Sequence, residues 1–272
     1  MAQFHRGDAV IHYTDTGLPD GRPDADTVFF GHGLLFSGWM FGPQIAALSS
    51  DYRCVAIDWR GQGGSAACAR GYDMDTLAAD AAALINHLGV APVHYVGLSM
   101  GGFVGQRIAA RQPHLVRSLT LLDTSAAPED PANARQYKLL GAAYRLAGIG
   151  PLRTKVLPLM FGPVFLADPA SQSLIQDWER RLGRCRRSGI SKAVSGVANR
   201  AGVEAELGSI TAPTMVVVGA DDAATPVAKS HRIGELIAGA RVEVVPDCGH
   251  TSTLEQPATV TGLIRDFLGT LT

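Results

Sequence analysis

Much of what a sequence can advertise is missing from these 272 residues. The four cysteines, Cys54, Cys68, Cys185 and Cys248, are scattered. None pairs at the short spacing of a zinc or redox motif, and they are too few for the disulfide framework of a small secreted domain. Charge is sparse and balanced, with 24 Lys+Arg against 25 Asp+Glu and a net charge of -1. No global field therefore draws the chain toward nucleic acid or an anionic membrane surface. No apolar run is long enough to span a bilayer, and the opening MAQFHRGDAVIHYTDTG lacks the apolar core of a secretory leader. Internal repeats and low-complexity tracts are absent too. The expectation is a cytoplasmic protein whose partner is a small molecule, with neither nucleic acid nor membrane involved.

What is present is apolar. Hydrophobic residues make up 46% and charged residues 18%, in a length over which one main α/β domain buries a full core. Short apolar runs at Thr27 to Phe30, Cys54 to Asp58, Val93 to Gly97, Leu119 to Asp123, Thr214 to Gly219 and Val242 to Val245 read as buried strands. Helix-period segments lie between them. Leu77, Ala81, Leu84, Ile85 and Leu88 share one face before Gly89, and a second helix runs from just after Ser99 to about Gln112, ahead of Pro113. Strands alternating with crossover helices predict a parallel sheet wrapped on both faces. The alternation around Val10 to Thr14 predicts an antiparallel edge hairpin. From about Glu129 to Glu206 the pattern is helical without a convincing strand, which predicts an insertion roofing the C-terminal edge of the sheet, where open parallel sheets bind ligands.

Four segments carry chemistry. Gly97-Leu98-Ser99-Met100-Gly101 sits between the strand-like VHYV and a helix. A serine hydroxyl is a poor nucleophile until it is held exposed beside a base. A tight strand-to-helix turn does that, and the helix N-terminus aims free N–H groups at an oxyanion. His250 follows the last strand and so reaches the same edge as general base and then general acid. The carboxylate that orients it comes from the loop after TMVVVG, where Asp222 is favoured, Asp221 is its neighbour and Asp123 is a more distant competitor. The backbone N–H groups of Leu34, in Gly31-His32-Gly33-Leu34, and of Met100 are placed to hold the oxyanion. His32 is read as a brace for its loop.

These segments, with Asp58-x-Arg60-Gly61-x-Gly63-x-Ser65, Gly219-x-x-Asp222-x-x-x-Pro226 and Gly249-His250 with Glu255 and Pro257, resemble the α/β-hydrolase superfamily over nearly the whole chain. The resemblance implies the α/β-hydrolase fold, a mostly parallel central sheet with helices on both faces and a helical lid insertion. The core would comprise residues 1–128 and 207–272, and the cap residues 129–206. The family's spacing from that glycine to that proline selects Asp222 over Asp221. Gln62 stands where the family usually has histidine, a position that is structural there. Within the superfamily the chain looks most like the 3-oxoadipate enol-lactonase group, in GLSMGGFVGQRIAARQPHLVRSLTLLDTSA and SGISKAVSGVANRAGVEAELGSITAPTMVVVGADDAATP. This implies hydrolysis of a small carboxylic ester or lactone through an acyl-serine, without a cofactor or metal.

Leu34, Leu35, Phe36, Trp39, Met40, Met100, Met160, Phe161 and Trp178 are candidates for an apolar pocket around Ser99, about half of them expected to fill core instead. Arg180, Arg181, Arg184, Arg186 and Arg187 read as a solvated helix face, with one turned inward if the substrate bears a carboxylate. Two other functions share the same triad: a ligand-sensing signalling protein, and a cofactor-free perhydrolase or haloperoxidase-like enzyme.

Overall fold

A computed structural model describes residues 2–271. Its strands are β1 (Ala2–Arg6), β2 (Ala9–Asp15), β3 (Thr27–Gly31), β4 (Arg53–Ile57), β5 (Val93–Leu98), β6 (Val116–Leu122), β7 (Thr214–Gly219) and β8 (Arg241–Val245). They form one sheet in the order β1-β2-β4-β3-β5-β6-β7-β8. The predicted hairpin is β1–β2, and β2 continues the sheet by pairing antiparallel with β4. From β4 through β3 to β8 all pairing is parallel.

The helices are α1 (Gly42–Leu48), α2 (Met74–Leu88), α3 (Met100–Arg111), α4 (Pro131–Ala147), α5 (Arg153–Met160), α6 (Pro163–Ala167), α7 (Gln172–Arg184), α8 (Arg187–Ala198), α9 (Glu204–Leu207), α10 (Val227–Leu236), α11 (Ser252–Glu255) and α12 (Pro257–Gly269). Among the described residues, no helix is long and apolar enough to cross a membrane.

The period-2 alternation of side chains divides the core into two layers. On one side Phe29, Val55, Tyr95, Leu119 and Val216 pack with Leu77, Ala81, Leu84 and Ile85 of α2, Val104 and Ile108 of α3 and Ile233 of α10. On the other, Val28, Phe30, Val96, Met215 and Val217 pack with Leu48 of α1 and Val260, Ile264 and Leu268 of α12. The central strands are apolar on both faces because both faces are covered. Local signals set the helix limits. The Asp73 carboxylate caps α2 by accepting the Thr76 N–H at 2.8 Å, and Gly89, at φ +63°, ends it in a left-handed turn.

Two features of the topology position a site. The chain leaves β3 to one side for β4 and crosses back to the other side for β5, so the carboxyl end of β3 is a switch point where a crevice opens. Between β6 and β7 the described chain is helical, α4 to α9, without a strand. There α4 lies on α8, with Gly141 against the Val194 side chain. Trp178 of α7 ties this layer to the sheet edge by donating its indole N–H to the Leu35 carbonyl at 3.1 Å.

Candidate active site

Ser99 occupies the one-residue turn between β5 and α3, at φ +50°. A left-handed conformation in a non-glycine residue costs on the order of 1–3 kcal/mol and persists only where the surroundings enforce it. Here its N–H donates to the Leu122 carbonyl at 2.8 Å, and its own carbonyl accepts from Phe103 N–H at 3.0 Å and Thr124 Oγ1 at 2.8 Å. Glycines make the turn possible. A Cβ on Gly97 would collide with the Gly101 carbonyl, and one on Gly101 with the Gly31 carbonyl. Met100 begins α3, so its N–H is one of the helix's unpaired donors and has no acceptor among the described residues.

His250, in the loop between β8 and α11, joins Ser99 to Asp222. Its Nε2 lies 2.9 Å from Ser99 Oγ, and its Nδ1 lies 2.9 and 3.0 Å from the two Asp222 oxygens. A carboxylate only accepts, so Nδ1 carries the proton and Nε2 is left free to accept the serine O–H. Asp222 is otherwise saturated by Ala224 N–H at 2.9 Å, Thr225 N–H at 2.8 Å and the Thr225 hydroxyl at 2.7 Å. Burial by itself would raise the Asp222 pKa, but the charge and hydrogen bond of His250 and the two Thr225 donors hold it below the usual carboxylate range. The converse applies to His250. Burial opposes its charge, yet Asp222, with smaller contributions from Asp123 and Glu255, raises its pKa above the ordinary value.

The other two carboxylates considered from the sequence lie elsewhere. Asp221 is exposed. Asp123 is fully buried beside the site and accepts from the Gly219 N–H at 2.9 Å and the Ser252 hydroxyl at 2.5 Å rather than from His250. Burial and the nearby Asp222 charge push its pKa well above the ordinary carboxylate value.

The loop after β3 faces Ser99, and among the described residues the Leu34 N–H is unpaired like that of Met100. His32 braces the base of this loop. Its Nε2 accepts the Trp59 N–H at 2.9 Å, which leaves the proton on Nδ1 to donate to the Gly33 carbonyl at 2.7 Å. Complete burial lowers its pKa to about 4, so it stays neutral. Gln62 holds the far end, accepting the Leu35 N–H at 2.8 Å, with Leu35 itself at φ +69°. Asp58 fixes the flanks by accepting from Gly38 N–H at 2.7 Å and Gly64 N–H at 2.8 Å.

A family model for the alpha/beta hydrolase fold matches residues 26–257, most of the chain. The chain belongs to the α/β-hydrolase family. It is similar to 3-oxoadipate enol-lactonase 2 of Acinetobacter baylyi, at 28% identity over 91% of this chain and 94% of that one. Among solved structures it is similar to the enol-lactonase of Burkholderia xenovorans LB400, with a TM-score of 0.90 at 25% identity over 98% and 100% of the two chains. A thermophilic esterase from Thermogutta terrifontis superposes with a TM-score of 0.87 at 27% identity, over 97% and 94%.

In this α/β-hydrolase, Ser99 and His250 open onto a cavity of about 90 Å³. Leu34, Leu35 and Met160 line it, together with apolar residues of the helical layer that the sequence had not singled out, including Leu140, Ile149, Leu152, Val156 and Leu159. Phe36, Trp39, Phe161 and Trp178 instead form an aromatic cluster, with ring centroids 5.9 to 6.2 Å apart, that joins α7 to the loop after β3. The arginines of the 180–187 run are exposed. Arg180 and Arg181 pair with Asp177, and Arg187 donates to the Leu146 carbonyl at 2.8 Å. The charged residues in the cavity wall are Glu129 and Arg200, beyond that run on either side.

Glu255 is a further site residue whose role the sequence did not reveal. One oxygen accepts the N–H of Gly249 at 2.8 Å and of Gly162 at 2.9 Å, and the other that of Thr251 at 2.9 Å. It therefore grips both neighbours of His250 and ties them to the α5–α6 junction. The available sequence signal was its fixed place five residues after the histidine. Cys248 is buried among apolar residues, and burial pushes its thiol far up, away from thiolate chemistry.

Proposed function

We propose that this hydrolase cleaves small carboxylic esters or lactones through an acyl-Ser99 intermediate, with Ser99, His250 and Asp222 as its triad. The reading rests on the unbroken hydrogen-bonded line from Ser99 Oγ through His250 to Asp222 at the mouth of an apolar cavity. Ser99 Oγ attacks the carbonyl carbon as its proton passes to His250 Nε2, and Asp222 stabilises the imidazolium. The N–H groups of Leu34 and Met100 bind the oxyanion. Collapse breaks the C–O bond, and His250 returns the proton to the departing oxygen, which remains tethered if the substrate is a lactone. Water deprotonated by His250 then attacks the acyl-serine and regenerates the enzyme.

Residues 129–206 act in this account as a cap over a core made of residues 1–128 and 207–272. The apolar residues of α4, α5 and α8 receive the acyl group and exclude bulk water, which strengthens the electrostatic interactions inside. The relatives described as enol-lactonases and an esterase support the same reaction class.

The test is turnover of p-nitrophenyl esters of graded chain length and a small lactone panel by the wild type and Ser99→Ala. Hydrolysis lost in the variant is expected. Hydrolysis retained at the wild-type rate would remove Ser99 from the mechanism.

A further inference from the structure

Asp123 is a buried carboxylate that the reaction above does not use. It stands between the two residues that hold the nucleophile turn. The Leu122 carbonyl accepts the Ser99 N–H at 2.8 Å, and the Thr124 hydroxyl donates to the Ser99 carbonyl at 2.8 Å. The N–H of Asp123 donates to the Val217 carbonyl at 2.8 Å, one step past Leu122 and Val217, the last pair in the β6–β7 register. Beyond that pair the Asp123 side chain takes over from the ladder. One oxygen accepts the N–H of Gly219 at 2.9 Å, where β7 ends and the loop carrying Asp222 begins. The other accepts the hydroxyl of Ser252, two residues after His250, at 2.5 Å. Asp123 is wholly buried and lies at φ +47°. A left-handed backbone in a non-glycine residue persists only where the surroundings enforce it. Here it accompanies two side-chain bonds to two different loops.

Both bonded groups bear on the acid and the base. The Gly219 carbonyl accepts the Asp222 N–H at 3.2 Å, and the Asp221 N–H donates to the Cys248 carbonyl at 2.8 Å. A Cβ on Gly219 would run into the carbonyls of Cys248 and Gly249, the two residues before His250. The loops after β7 and β8 therefore lie against each other, and Asp123 is bonded to both. With Leu122 and Thr124 on Ser99, the end of β6 holds all three segments that carry the triad. A carboxylate suits this place because it offers two acceptor oxygens in two directions. Placement matters to the chemistry, since a displacement of about 1 Å at a reacting group costs on the order of a hundredfold in rate. We propose that Asp123 is a positioning residue whose carboxylate sets the Asp222 and His250 loops in register with the Ser99 turn. This rests on the triad reading above and adds to it a residue that acts through the acid and the base.

The experiment compares Asp123→Ala, Asp123→Asn and Ser252→Ala with the wild type. Alanine keeps neither side-chain bond. Asparagine tolerates the left-handed backbone, keeps an oxygen for the Gly219 N–H, and can donate its amide to the Ser252 hydroxyl. Ser252→Ala cuts one bond and leaves Asp123 in place, so it tests the same link if Asp123→Ala does not fold. Steady-state turnover of p-nitrophenyl acetate is one readout. The other is the downfield proton NMR signal of His250 Nδ1–H, identified by its loss in Asp222→Ala, which reports the His250–Asp222 bond without any substrate. Asp123→Ala is expected to lower kcat by about tenfold to a hundredfold while KM changes less than about threefold. Its Nδ1–H signal should shift or broaden while circular dichroism stays that of the wild type. Ser252→Ala should move both readouts the same way by less, and Asp123→Asn should recover most of the rate and the signal. Wild-type kcat and an unmoved signal in Asp123→Ala, or in Ser252→Ala should the former not fold, would overturn the proposal. An Asp123→Asn variant as impaired as Asp123→Ala would overturn it too, by assigning the effect to charge. Absence of Ser99-dependent hydrolysis in the wild type, with the signal still governed by Asp123, would overturn the reaction and uphold the positioning.

Discussion

Glu255 and Gly249 are joined by a hydrogen bond of 2.8 Å, and the same carboxylate oxygen takes the Gly162 N–H from the helical layer at 2.9 Å. The loop that carries His250 is thus fastened to the α5–α6 junction by one half-buried side chain that makes no hydrogen bond to His250. Glu255→Ala would leave three buried N–H groups unpaired, each worth about 1–3 kcal/mol. A fall in melting temperature of several degrees is expected, together with a loss in kcat larger than the rise in KM. Glu255→Gln keeps the acceptor oxygens in place, in part, and should recover some of both. Thermal denaturation and steady-state kinetics on the two variants check this. A kcat unchanged in Glu255→Ala would show that the clamp does not position the base.

The pH profile follows from the charges around His250. The base must be neutral to take the Ser99 proton, and its pKa is raised above the ordinary value chiefly by Asp222 against the opposing effect of burial. Activity is therefore lost as pH falls through a value above about 6.5, the unperturbed imidazole pKa. Asp222→Asn removes the charge that raises it, so the acid limb of kcat/KM should move to lower pH. The rate itself should drop by roughly 10⁴, the scale seen when a triad carboxylate becomes an amide. An acid limb that stays in place in this variant would separate Asp222 from the titration of the base.

Gln62 accepts the Leu35 N–H at 2.8 Å, next to the Leu34 N–H assigned to the oxyanion. Gln62→Leu removes that acceptor while keeping most of the volume. Loss of loop placement should lower kcat by about tenfold to a hundredfold, below the full cost of losing an oxyanion donor. Gln62→His restores a polar side chain at the position and should recover part of the rate. Equal rates in all three proteins would remove Gln62 from the positioning of this loop.

Gly101→Ala tests the backbone contact beneath the nucleophile. Its Cβ would overlap the Gly31 carbonyl, which belongs to the centre of the sheet and cannot move aside. The variant should fail to fold or should melt far below the wild type by calorimetry or circular dichroism. A stable, active Gly101→Ala protein would mean that β3 and α3 are not packed as closely as described.

The parts of this molecule legible in the sequence are those whose physical requirements are local. A strand covered on both faces must be continuously apolar, as Thr27–Gly31 and Thr214–Gly219 are. A serine raised on a one-residue turn needs glycines around it, and Gly97 and Gly101 are there. The order of elements then places Ser99, Asp222 and His250 at one sheet edge. What the sequence did not yield depends on contacts between distant segments. Glu129 and Arg200 meet only because the two ends of the helical insertion return to the same place, and neither has a local signature. Phe36, Phe161 and Trp178 carry the aromatic character expected of a pocket wall, but they satisfy one another, and the smaller aliphatic residues of α4 and α5 line the cavity.

The central claim is that Ser99 carries the acyl group. Rapid quenching of the enzyme during turnover of p-nitrophenyl acetate, followed by intact and peptide mass spectrometry, tests it most directly. The account predicts one acetyl group per chain, on the peptide containing Ser99 and absent from Ser99→Ala, with a matching burst of p-nitrophenol before steady state. Steady turnover with the acetyl group on another residue, or undiminished turnover by Ser99→Ala, would contradict it.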